Sequence, residues 1–149
     1  MLKRHQVLVV LGLVFAVSST SVVAAPLITA KEAQLPAASG ELKTRGIARG
    51  PGIKVISPDV TAPEIKGPFD LKVVFESRGG NKIDASAVKV TYLKATAVDL
   101  TPRLKSAITE SGIDFAKAEV PPGEHAVKIT VKDVDGRESN TVMNLVVGK

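Results

Sequence analysis

Between residues 121 and 147 the chain alternates apolar and polar side chains on both sides of a turn signal, which is the pattern of a half-buried β-hairpin. Val127, Ile129 and Val131 interleave with Lys128, Thr130 and Lys132. The returning strand sets Thr141, Met143, Leu145 and Val147 on one face and Val142, Asn144 and Val146 on the other. Between them, Asp133-Val134-Asp135-Gly136-Arg137 supplies a glycine that tolerates positive φ and two Asp side chains able to bond nearby amides. Any fold for this chain must pack layers onto one face of that hairpin.

The residues ahead of it continue the β theme. Phe69, Leu71, Val73 and Phe75 alternate with Asp70, Lys72, Val74 and Glu76, and Val88, Val90 and Tyr92 face away from Lys89, Thr91 and Leu93. Ile53 and Val55 begin a short strand ended by Ser57-Pro58. With Pro58 just ahead of it and Pro63 and Pro68 within it, the segment 59–68 is an edge or a loop. Ile113 and Phe115 start a further strand. One helix is expected at 101–110, with Thr101 as cap, Pro102 in the first helical position, Leu100, Leu104 and Ile108 on one face, and Gly112 as its end. Short strands separated by turn signals predict a mainly β fold, an antiparallel sandwich with one short inserted helix, occupying residues 53–149.

The first 24 residues carry a different signal. Lys3 and Arg4 precede an apolar run from Val7 to Val17, and Val22-Val23-Ala24 offers small residues for cleavage, as in a secretory signal peptide cut after Ala24. The alternative is an uncleaved anchor, although the run is short of the ~20 residues that a span requires. With cleavage no membrane span remains, and the expected location is periplasmic or secreted. Residues 25–52 hold Ala, Pro, Gly and charge without sustained periodicity and are expected to be a flexible linker. Within it, Thr29 and Glu32 have capping-box spacing, and Arg45-Gly46 and Arg49-Gly50 offer contacts to an anionic surface.

Composition narrows the chemistry. The chain has no cysteine, which excludes thiol nucleophiles, disulfides and zinc-thiolate sites. Without Lys3 and Arg4, the 20 basic residues become 18 against 15 acidic ones, a charge of +3 that is interspersed and gives no nucleic-acid signature. Neither a GxSxG elbow nor a phosphate-binding glycine motif occurs, so the chain is expected not to be an enzyme and to need no cofactor.

A likeness to known proteins rests on residues 123–137, where a Pro-Gly turn leads into an alternating strand and then an Asp-x-x-Gly turn. This run is similar to the closing hairpin of bacterial immunoglobulin-like domains. The Ser57-Pro58 strand end and the strand from Phe69 to Phe75 also resemble that group, which includes periplasmic copper-resistance proteins of sandwich fold. The resemblance implies an immunoglobulin-like sandwich over residues 53–149 with the helix inserted. It lacks the Cys and Trp core of antibody-type domains. The copper-binding relatives use several histidines, and after leader removal only His125 remains here.

Two clusters invite a ligand. Asp133, Asp135 and Glu138 around Gly136 offer the oxygen ligands a hard cation such as calcium prefers, but the twelve-residue loop spacing is absent and Asp-x-Asp-Gly equally makes a plain hairpin turn. Asp99, Thr101 and Arg103 gather at the expected helix start, where capping or an anion accounts for them. The expected function is that of an exported, non-enzymatic immunoglobulin-like interaction module of the bacterial cell envelope, with an envelope or extracellular protein as partner. The alternative is a periplasmic metal-binding or carrier protein for calcium or copper.

Overall fold

The computed structural model describes residues 25–40 and 49–149. The expected signal peptide and Arg45-Gly46 lie outside the described residues. In chain order the elements are β1 (Ala25–Pro26), α1 (Ala30–Ala33), β2 (Gly52–Ser57), β3 (Phe69–Glu76), β4 (Lys89–Tyr92), β5 (Val98–Asp99), α2 (Thr101–Leu104), β6 (Ile108–Thr109), β7 (Gly112–Glu119), β8 (Gly123–Lys132) and β9 (Glu138–Val147). They form two sheets, one ordered β1-β7-β3-β2 with β6 also on β7, the other ordered β5-β4-β8-β9. Every strand pair is antiparallel except β1 with β7. The fold is therefore mainly β, as the alternation predicts.

The β8–β9 ladder runs without a slip from Gly123↔Val147 to Lys132↔Glu138. Its phase buries His125, Val127, Ile129 and Val131 on β8 with Ser139, Met143, Leu145 and Val147 on β9. Opposite them β3 buries Phe69, Leu71, Val73 and Phe75 and leaves Asp70, Lys72, Val74 and Glu76 exposed. Val88, Val90 and Tyr92 complete the inner face of the second sheet. Each fully buried aliphatic side chain contributes roughly 1.5–3 kcal/mol, so a one-residue slip in any of these strands is strongly disfavoured.

Two expectations change. The helix expected at 101–110 is a single turn, Thr101–Leu104, followed by a 3-10 turn at Lys105–Ala107 and then by strand β6. Thr101 does not cap it: its Oγ1 accepts the Val90 amide at 2.9 Å, while Asp99 Oδ1 accepts the Thr101 amide at 2.9 Å. Leu100 and Leu104 are buried as expected, but Ile108 pairs with Ile113 in a ladder instead of continuing the helix. A helix this short is marginal alone, and β-branched Ile108 gains more from the sheet edge. Gly112 serves that ladder. Its φ is +152°, and a Cβ there would lie 1.9 Å from the Val73 carbonyl oxygen, so no other residue fits without moving β3.

The second change concerns residues 25–52, which do not behave as a linker throughout. Leu27 and Ile28 are 0% and 2% exposed within the core, and both amides reach the Glu119 carbonyl, at 2.9 and 3.3 Å. The capping box at α1 is formed as expected, with Thr29 Oγ1 accepting the Glu32 amide and Glu32 Oε2 accepting the Thr29 amide. Glu32 also takes a two-pronged contact from Arg103, at 2.5 and 2.8 Å, and Arg103 Nη1 donates to the Leu27 carbonyl at 2.7 Å. Further on, Ala95 N donates to the Pro36 carbonyl and Ala37 bridges to Lys94. These residues are a strap across one side of the sandwich. The bulky Leu27-Ile28 pair carries the docking, and averaging over a polar stretch hides it.

Replacing Leu27 by Ala is expected to cost about 2–5 kcal/mol in urea unfolding. Replacing Ile56, 48% exposed, should change stability by no more than about 0.5 kcal/mol. Equal, small effects at both positions would return the strap to the status of a spacer.

Candidate functional site

The acidic turn is built first by its backbone. Gly136 at φ +79° lets the chain reverse, the Gly136 amide donates to the Asp133 carbonyl at 3.0 Å, and the Asp133 amide donates to the Arg137 carbonyl at 3.0 Å. Asp133 is 4% exposed and its Oδ1 accepts the amides of Asp135 and Arg137 at 3.0 and 2.9 Å. Asp135 Oδ2 accepts from Asn81 Nδ2 at 2.7 Å and lies 3.6 Å from Arg137 Nη2. Glu138 turns to Lys132 across the ladder, 3.2 Å away. The three carboxylates named from the sequence thus point to three different sets of donors. Among the described residues no three His, Asp or Glu side chains form a group that could hold a metal ion.

The helix-start cluster is likewise divided. Asp99 holds Thr101, whose hydroxyl and amide keep the Asp99 carboxyl below its ordinary value. Arg103 faces away toward the strap, where its hydrogen bonds lower the Glu32 carboxyl to about 2.

His125 sits elsewhere than a surface ligand would. It is 3% exposed, at the inner start of β8, with Nε2 2.7 Å from the Pro121 carbonyl and Nδ1 2.8 Å from the Tyr92 hydroxyl. A carbonyl can only accept, so Nε2 carries the proton and Nδ1 accepts from Tyr92. Tyr92 itself is 0% exposed, so its hydroxyl lies inside the core. Burial holds the imidazole below its ordinary value of 6.5; the Pro121 carbonyl opposes this and the charge of Lys94 adds to it. Lys94 Nζ lies 5.2 Å from the Tyr92 ring centre and donates to the Ala33 carbonyl at 3.0 Å. Sequence reasoning missed this pair, although His125 shares the two-residue phase of Val127 and so belonged on the inner face.

Beside that corner, against the strap, lies a groove of about 530 Å³. Pro26 and Ile28 of the strap form one wall, Pro121 and Pro122 another, and Pro68 and Val147 line it as well. Its volume lies within the range of ligand pockets. The groove is open and largely apolar, with Glu119 and Thr29 as its polar edge. Such a lining has no nucleophile or paired acid and base, and suits apolar side chains of a bound segment. Among the described residues no helix is long and apolar enough to cross a membrane.

Two outcomes check these assignments. Asp133→Ala should cost about 1–3 kcal/mol in calcium-free buffer, since two turn amides lose their acceptor, whereas Glu138→Ala, which loses an exposed pair, should cost no more than about 0.5–1 kcal/mol. A calcium site would instead make both losses depend on added calcium. For His125, neutral when folded and with its pKa lowered, stability is complete above about pH 6.5 and falls as the unfolded state takes up a proton, by at most ~1.36 kcal/mol per pH unit. The lowered carboxyls of Glu32 and Asp99 act at more acid pH, losing their contribution below the ordinary carboxylate range. Unfolding measured from pH 7 to 5 should therefore show a decline that His125→Gln removes.

No family model matches the chain, and neither curated proteins nor solved structures give a match to it, so its own geometry bears on function.

Proposed function

We propose that this protein is an exported, non-enzymatic module of the bacterial cell envelope, immunoglobulin-like in architecture, that binds a segment of another envelope protein. One observation carries the reading: the apolar groove rimmed by Pro26, Pro68, Pro121 and Pro122, walled by elements tied to both sheets. Proline walls lose little conformational entropy when a partner seats, so the surface is pre-organised for docking. The leader-like segment, with Lys3, Arg4 and the apolar run to Val17, supports export. Carriage of calcium or copper lacks a comparable feature. The acidic turn is held by its own amides, Asn81, Arg137 and Lys132, and both nitrogens of His125 are engaged in the core.

The test is site-specific photocrosslinking in the native host. A photoreactive residue at Pro68 or Pro122 should yield one common adduct, and the same residue at Lys54 or Lys89, exposed on the outer sheet faces, should yield none. Adducts of equal strength at all four positions, or none at the groove, would defeat the proposal.

A further inference from the structure

His125 is buried, yet it is bonded to a wall of the groove, because the carbonyl that accepts its Nε2–H belongs to Pro121. We propose that His125 is an acid-sensitive latch that fixes the Pro121-Pro122 wall, so that proton uptake at the ring reshapes the groove. The inference rests on the reading of that groove as a docking site and adds its regulation.

The argument is one of donors and acceptors. In the neutral ring Nε2–H donates to Pro121 and Nδ1 accepts the Tyr92 O–H. A second proton can go only to Nδ1, which then faces a hydroxyl 2.8 Å away whose own hydrogen must turn elsewhere. Tyr92 is 0% exposed, and among the described residues its hydroxyl is hydrogen-bonded to His125. The surroundings do not compensate the new charge. Two residues beyond β4, the strand paired with β8, the charged group is Lys94, a cation, which with Glu124 and Asn144 lines the recess beside the ring. On β9 the register partner is Leu145, and from the strap Ala37 and Ala38 approach the same recess. Glu124 is exposed and is the single carboxylate of that recess. The charged ring gains most by leaving toward water, and the Pro121 carbonyl then loses the contact that fixes its corner. By linkage, a ligand that fits the present groove must disfavour protonation of His125 by the same factor that acid weakens its binding.

The full chain, observed by NMR from pH 7 to 4.5 without any partner, tests the latch separately from the docking reading. The His125 ring should titrate from the Nε2–H tautomer, and the amides of Val120, Gly123, Gly67 and Gly148 should shift with the same midpoint. Lys94→Met should move both midpoints upward together, and His125→Gln should abolish the shared transition. Groove amides that stay still while the ring titrates, a ring that stays neutral over the whole range, or a midpoint shared by every amide in global unfolding would each overturn the proposal. Failure of photocrosslinking with a positive titration would remove the partner and leave the latch.

Discussion

Strand β8 is the member on which the second sheet depends, because it is hydrogen-bonded along both edges, to β4 on one side and β9 on the other. Its inward row from His125 to Val131 sets the phase for Tyr92 and Val90 on one neighbour and for Leu145 and Met143 on the other. With a period of two, no neighbour can slip by one residue without exposing its apolar set. The first sheet meets this surface with the equally regular β3. The strap, the single-turn helix and the acidic turn close the ends and sides of that pair of faces.

Where side chains alternate strictly, the architecture was legible. β3, β4, β8 and β9 are half-buried ribbons, and a half-buried ribbon records its burial in its residue order. The failures fall where burial is not periodic. Leu27-Ile28 is too short to show a period, and its partners, Glu119 and Arg103, lie far along the chain. The stretch after Leu104 is helical in its i, i+4 spacing, but the edge of β7 competes for Ile108 and wins. Propensity describes the isolated segment, and the sheet edge supplies the larger energy.

The candidate sites show the same division. The acidic turn could be read because its residues are neighbours in sequence. What could not be read was that the turn's own amides and Asn81 would take the carboxylates. His125 and Tyr92 stand apart in the chain and meet only once two ladders are assembled. Arg103, suggested for an anion, meets a carboxylate of its own chain instead. A charged residue near a helix start names the type of contact and leaves the identity of its partner to the tertiary fold.

The groove has one more property, which follows from its walls. Pro26 lies at the beginning of the described chain and Gly148 near its end, and both border it. The ten-residue strands β8 and β9 carry the acidic turn away from this pole, about 30 Å distant at a strand rise of roughly 3.3 Å per residue. The groove and the acidic turn therefore occupy opposite poles of the β8–β9 hairpin, so the two candidate surfaces cannot be covered by one small ligand.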